Sequence, residues 1–263
     1  MQLTFELGGT TTINRLGYGA MQLTGPGVWG PPRGHDEAIR VLRRAVALGV
    51  DFIDTADSYG PFISEQLIAE ALHPYPDGLV IATKGGFTRA GPNDWRVLGR
   101  PEYLRQQCEL SLRHLKLERI ELYQLHRIDP AVPLEETLGE LKLLQEEGKI
   151  RHIGLSEVSI DEIRRAQETV DIASVQNLYN LANRRAEDVL DFCEANGLGF
   201  IPWFPLANGR LKVEPKMALA WLLRRSPVML PIPGTSSVAH LEENMSAREV
   251  ELTDAEFENL DSA

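Results

Sequence analysis

The chain has 263 residues, 43% of them hydrophobic and 25% charged, an ordinary globular composition with enough apolar material for a sizeable core. Its formal net charge of -11 argues against nucleic acid or an anionic membrane as the main partner, yet leaves room for a local pocket that holds an anionic cofactor. Two cysteines, Cys108 and Cys193, give neither metal spacing nor a disulfide framework, so a reducing cytoplasm and a plain packing role are expected.

No apolar run approaches the roughly 20 residues that span a bilayer, and the first residues lack the pattern of a secretory signal. In chain order, 5–13 reads as a β-hairpin because Gly8-Gly9 suits a tight primed turn. Strands are then expected over 15–21, 51–56, 79–85, 120–127, 150–156, 172–178, 199–205 and 228–233. Helical patterns fall between and after them, over 35–48, 64–72, 101–115, 133–147, 159–169, 186–196, 215–225 and 238–247. Ala38, Val41, Leu42, Ala45 and Leu48 show the one-sided stripe of such a helix. Eight βα units at this length predict an α/β protein, a closed (β/α)8 TIM barrel with the hairpin capping its bottom. No composition shift marks a linker, so residues 1–263 are expected to form a single domain.

Three of these strands end in ionisable residues. The second leads through Asp54 to Tyr59, the third ends in Lys84, and the fourth in His126. Strand C-termini of a parallel barrel open on one face, so the four groups should converge there. Such a set suits proton transfer to a carbonyl oxygen. Tyr59 can donate the proton, but a free phenol near pKa 10 is a weak acid at neutral pH. A cationic Lys84 beside it would lower that value, Asp54 would hold Lys84 charged, and His126 would orient the carbonyl. The structural alternatives are a plain buried ion pair and a satisfied core histidine; four such groups at strand ends favour catalysis.

The chain resembles the aldo-keto reductase family over nearly its whole length. The resemblance rests on 51–60, Lys84, His126, the run Gly148-Lys149-Ile150-Arg151-His152-Ile153-Gly154-Leu155-Ser156, and Ile232-Pro233-Gly234-Thr235 followed by Glu243-Asn244, all in the family's order. The runs 154–159 and 25–32 are most similar to its pyridoxal-reductase-like branch. The resemblance implies that Asp54, Tyr59, Lys84 and His126 are the catalytic set. Hydride transfer needs a nicotinamide, because no side chain donates hydride. The usual dinucleotide fingerprint is absent at 17–22, but an extended cofactor lying over a barrel mouth does not require it. By resemblance, Ser156 and Gln176 bind the nicotinamide carboxamide, and Trp203 stacks on its ring. Glu157 departs from the Asn of many members. Gly19, Met21, Asp54, Pro205, Leu206 and Asn208 complete that end of the cofactor site.

At the other end, Gly234, Thr235, Ser236 and Ser237 open a helix whose free N–H groups suit an anion. Glu243 and Asn244 match residues that hold the adenine. Gly234 stands where the best-known members carry Lys, and His240 where they carry Arg, so the 2′-phosphate grip is weakened. Ser236, Ser237, His240 and Arg184 are its remaining candidates. NADP is the expected cofactor, used as NADPH, with NAD the alternative. The seventh βα connection is short, and the chain stops soon after its last helical pattern. An open substrate pocket is therefore expected, walled by Met21, Gln22, Trp29, Phe87 and Trp95. The expected activity is cytoplasmic NADP-dependent reduction of a small-molecule aldehyde or ketone, pyridoxal among the candidates, by a monomer or weak homo-oligomer. The alternatives are an alcohol or sugar dehydrogenase and a cofactor-binding redox sensor with little turnover.

Overall fold

A computed structural model describes residues 3–261, apart from the side chain of Asn208. The hairpin comes first, β1 (Thr4–Leu7) and β2 (Thr11–Asn14). Gly8 at φ +56° and Gly9 at φ +68° make its turn, a left-handed pair that side chains other than glycine rarely adopt. Leu7 and Ile13 of the hairpin are fully buried in one cluster with Phe52, Val80, Ala82, Leu122, Ile201 and Leu230, the inward-facing residues of the strands that follow. The hairpin thus closes the bottom of the barrel.

The strands after it are β3 (Tyr18–Gly19), β4 (Phe52–Asp54), β5 (Val80–Gly85), β6 (Phe87–Gly91), β7 (Asp94–Val97), β8 (Ile120–Leu125), β9 (Ile150–Ser156), β10 (Ile172–Leu178) and β11 (Gly199–Trp203). Seven of them form one parallel sheet in the order β3-β4-β5-β8-β9-β10-β11. The expected eighth strand, 228–233, is extended backbone rather than a regular strand, and it closes the ring from both sides. Phe200 N donates to Val228 O and Leu230 N to Phe200 O, each at 2.8 Å, while Gly17 N donates to Pro231 O at 2.9 Å. Gly19 lies so close to this segment that a Cβ on it would sit 2.6 Å from Ile232 O.

Helices α1 (His35–Ala47), α2 (Ile63–Leu72), α3 (Pro101–Leu115), α4 (Leu134–Glu146), α5 (Ile160–Gln167), α6 (Glu187–Asn196), α7 (Pro215–Arg225), α8 (Val238–Met245) and α9 (Asp254–Asp261) complete the order. The α1 stripe is buried as its period requires, through Ala38, Val41, Leu42 and Ala45. A capping box fixes the start of α5, with Glu162 N donating to Ser159 Oγ and Ser159 N to Glu162 Oε2. Both cysteines are buried and unpaired.

Two elements add to the sequence expectation. One is the antiparallel hairpin β6–β7, which rises from the mouth directly after β5. The other is α9, which packs against α7 through Phe257 stacked on Trp221 with ring centroids 6.3 Å apart. The described end of the chain therefore lies on the outer helical layer. Among the described residues, no helix is long and apolar enough to cross a membrane.

Behind the mouth, Glu65 is fully buried, with Oε1 accepting from Thr83 Oγ1 at 2.6 Å. Burial raises its pKa from 4.5 to about 7. A carboxyl raised in the folded state keeps its proton there, so its stabilising contribution is complete below 4.5 and is lost as pH rises through about 7. The shift corresponds to about 3 kcal/mol. Glu65→Gln cannot ionise, so the melting temperature of the variant relative to the parent should rise by about 6–10 °C between pH 4.5 and 8. Thermal melts of both proteins across that range check this; a gap independent of pH would contradict it.

Candidate active site

The register of the parallel strands delivers the ionisable groups to one place. Asp54 ends β4, Lys84 is the penultimate residue of β5, and β5 pairs with β8 so that Lys84 faces Gln124 across the ladder. Lys84 Nζ donates to Asp54 Oδ2 at 2.5 Å, to Thr55 O at 2.8 Å and to Tyr59 Oη at 3.4 Å. Its three hydrogens thus have three acceptors. Asp54 Oδ1 accepts from Gln124 Nε2 and Gln176 Nε2, both at 2.9 Å. The ion pair is buried, with side-chain exposures of 0% for Lys84 and 3% for Asp54. Tyr59 is buried at the end of this chain of contacts and, accepting from Lys84, keeps its own hydrogen for another acceptor.

Electrostatics set the protonation states. Burial alone would lower the Lys84 pKa, but the Asp54 carboxylate and Tyr59 together raise it above its ordinary value, so the ammonium persists. Tyr59 departs from the sequence expectation. Burial raises its pKa above 10, and Lys84 offsets only part of that rise. The phenol is therefore protonated at neutral pH, with the Lys84 ammonium beside its oxygen. Burial, together with the nearby Lys84 and Arg127 charges, pushes His126 well below 6.5, so the imidazole is neutral. Ser58 Oγ lies 3.4 Å from its Nδ1; a hydroxyl donating there leaves the ring hydrogen on Nε2.

A cavity of about 1100 Å³ opens above these groups. Asp54, Tyr59, His126, Ser156, Gln176 and Trp203 line its floor and inner wall. Gly19, Met21 and Gln22 line it from the first βα connection, Phe87 and Trp95 from the β6–β7 hairpin. Pro205, Leu206, Gly234, Thr235, His240, Glu243 and Asn244 line its far end. The aromatic rings meet edge to face, with Phe87 to His126 at 4.6 Å, Phe87 to Trp95 at 5.4 Å and Tyr59 to Trp95 at 6.3 Å between centroids.

Four expected site residues stand elsewhere. Trp29 is not on the cavity wall; its loop bridges to Gly60 beside Tyr59, and Arg89 is wedged between Trp29 and Trp95. Ser236 is exposed and Ser237 half-buried, and neither lines the cavity. Arg184 belongs to the outer layer, paired with Glu187 and Asp261 and lying over the Trp221 ring, so it is not at the phosphate end. The expected contact of Asn208 falls on a side chain outside the described residues. The seventh connection, short as it is, does cover the far end of the cavity, through Gly209, Leu211 and Val213.

Sequence reasoning also missed two arginines. Arg89 donates to Gly27 O, Val28 O, Ser58 O and Asp94 O, tying the first loop, the Tyr59 turn and the hairpin together. Arg127, next to His126 in the chain, stands on the cavity wall and donates to Ser156 Oγ at 2.9 Å. Its position directly after a strand-end histidine was the available signal.

The sequence profile of the Aldo/keto reductase family matches residues 15–216 and 213–263. The chain belongs to the aldo/keto reductase family. An uncharacterized oxidoreductase of Schizosaccharomyces pombe is 49% identical over 268 residues, spanning 96% of this chain and 87% of that protein. Pyridoxine 4-dehydrogenase of Escherichia coli is 43% identical over 278 residues, spanning 98% of this chain and 97% of that protein. Among solved structures, an aldo-keto reductase from Klebsiella pneumoniae in complex with NADPH superposes with a TM-score of 0.84 at 27% identity, covering 100% of this chain and 95% of that one.

Two departures from the aldo/keto reductase pattern have structural reasons. A Cβ at Gly234 would sit 2.8 Å from Gly19 O, so ring closure between β3 and 228–233 excludes a lysine there without a backbone shift. Glu157, at φ +56°, accepts from Trp203 Nε1 at 2.5 Å and from Leu178 N at 2.6 Å. The acid at this position therefore fixes the indole plane.

The N-terminus of α8 carries a further acid. Val238 N donates to Glu37 Oε1 at 3.2 Å, and Glu37, held below the usual carboxylate range by Arg40 and this N–H, stays charged. A phosphate at that end would meet a standing negative charge. Glu37→Gln should lower the KM for NADPH by about two- to fivefold while moving the KM for NADH less. Steady-state titration of both cofactors reads this out, and equal shifts would contradict it.

Proposed function

We propose that this chain reduces aldehydes to alcohols with NADPH, pyridoxal among its substrates, and that Asp54, Tyr59, Lys84 and His126 carry the chemistry. The observation that supports this most is the Asp54–Lys84–Tyr59 chain of contacts at the floor of a cavity large enough for a dinucleotide and a small carbonyl compound.

The residues present fit a nicotinamide cofactor. Gln176 Nε2 is engaged with Asp54 and Gln124, which leaves Oε1 free to accept from a carboxamide, and Ser156 offers its hydroxyl beside it. Trp203, held by Glu157, presents a flat face on the cavity wall. Glu243 and Asn244 stand at the opposite end for an adenine, with Thr235 between. When bound, the cofactor supplies the hydride. Everything else falls to the chain. His126 donates a hydrogen bond that orients the carbonyl oxygen, and Tyr59 gives it a proton as negative charge develops there. Lys84 stabilises the resulting phenolate, and Asp54 keeps Lys84 charged and in place. The rings of Phe87 and Trp95 exclude water from the reacting oxygen.

The same groups run the reverse reaction, as the name of the Escherichia coli relative indicates for that protein. A Tyr59 phenol raised above 10 favours reduction at neutral pH, because a protonated donor is always present. The rate of carbonyl reduction should therefore vary less than about threefold between pH 6 and 9, with both His126 neutral and Tyr59 protonated. Tyr59→Phe should lose about 10²–10⁴ in kcat while still binding NADPH. Absorbance at 340 nm over a panel of aldehydes that includes pyridoxal measures both. Tight cofactor binding with no turnover of any carbonyl by the parent would favour a cofactor sensor, and a Tyr59→Phe variant as fast as the parent would remove Tyr59 from its role.

A further inference from the structure

Among the described residues, Arg127 is the only arginine or lysine on the cavity wall. Half-buried there, it has no carboxylate of the described residues within ion-pair distance. Its Nη1 donates to His126 O at 2.6 Å and to Ser156 Oγ at 2.9 Å, and its guanidinium lies 5.6 Å from the Phe87 ring centroid. The Nε and Nη2 groups have no partner among the described residues. That is the edge of a guanidinium that grips a carboxylate or phosphate with two parallel hydrogen bonds. The acid that acts on Arg127 through space, Glu157, has its Oε1 engaged with Leu178 N and the Trp203 indole. A partly desolvated cation without a counter-charge is costly, and a group that completes its pairing recovers that cost.

The cofactor's phosphates are badly placed to be that group. In the ring, β8 is fourth from β3 and the closing segment 228–233 is eighth, so Arg127 and the Gly234–Val238 end stand on opposite sides of the mouth. A dinucleotide with its phosphates at α8 and its nicotinamide between Trp203 and Gln176 would leave Arg127 facing the space beside His126, where the carbonyl compound sits. We infer that Arg127 is a specificity-determining residue that binds an anionic oxygen group, a carboxylate or a phosphate, on the aldehyde substrate. This rests on the reductase reading above, and within it adds a preference for aldehydes bearing an acid group over matched neutral ones.

Matched aldehydes separate the two claims. With NADPH saturating, kcat/KM is measured for 4-carboxybenzaldehyde against 4-nitrobenzaldehyde, and for pyridoxal 5′-phosphate against pyridoxal, in the parent, Arg127→Met and Arg127→Lys. The parent should prefer the charged member of at least one pair, and which pair identifies carboxylate or phosphate. Arg127→Met should reduce that preference by roughly 30-fold, mainly through KM, with Arg127→Lys retaining part of it. Using the ratio cancels any common loss from a displaced Ser156 or weaker cofactor binding. A parent that reduces the neutral aldehydes but shows no preference in either pair overturns the Arg127 assignment and leaves the reductase reading standing. The same ratio in parent and Arg127→Met also overturns it. No turnover of any of the four removes both.

Discussion

A buried ammonium and carboxylate, Lys84 and Asp54, are the pair on which the rest of the mouth depends. Taking two charges out of water costs several kcal/mol each, and their attraction repays this only when every remaining hydrogen and lone pair is satisfied. Here the satisfaction comes from three other places in the ring. Thr55 O follows β4, Gln124 lies on β8, Gln176 on β10, and Tyr59 Oη takes the last lysine hydrogen. An open or slipped sheet would separate these groups, because a one-residue slip turns a side chain to the opposite face. Barrel closure, hairpin plug and charge network are therefore parts of one requirement. Replacing such a pair by apolar groups often leaves stability unchanged, so its retention here points to chemistry rather than to stability.

The mouth around that pair is built asymmetrically. On the Arg127 side, a cation with no carboxylate partner among the described residues faces an aromatic wall of Phe87, Trp95 and His126. On the α8 side, the first N–H of the helix, that of Val238, is already taken by Glu37. The lysine that family resemblance leads one to seek is excluded by the contact of Gly234 with Gly19 O. The glycine at 234 thus follows from how the ring is closed, and the negative charge at the start of α8 from an acid on α1 that no local motif around 234–244 announces.

Much of this was legible in the sequence because barrel strands are short apolar runs and their C-terminal residues share one face. Asp54, Lys84 and His126 stand out as ionisable groups ending such runs, and Ala38, Val41, Leu42 and Ala45 mark α1 by period alone. The hairpin β6–β7 was not legible. Its residues are half-exposed, its register shifts between Arg89 and Gly91, and its turn depends on Asn93 at φ +56°, so no clean alternation survives. Helix α9 was missed for a related reason, since it buries no residue fully and is held by Phe257 and Asp261 on Trp221. Partnerships between distant residues escaped as well. Nothing near Glu157 indicates the Trp203 indole, and nothing near Trp29 shows that Arg89 removes it from the pocket wall. The direction of the Tyr59 shift was misread because the effect of Lys84 can be inferred from residue type, whereas the larger effect of burial needs the packed structure.

The double variant Asp54→Asn, Lys84→Met tests the central claim most directly, because it removes both buried charges together and leaves neither uncompensated. The account predicts a folded protein that melts within a few degrees of the parent or above it, binds NADPH with a dissociation constant within about tenfold, and reduces aldehydes at least about 10³ times more slowly in single turnover. A double variant that keeps its turnover within tenfold of the parent would contradict the account, and would make the ion pair a structural feature of the barrel rather than the source of its chemistry.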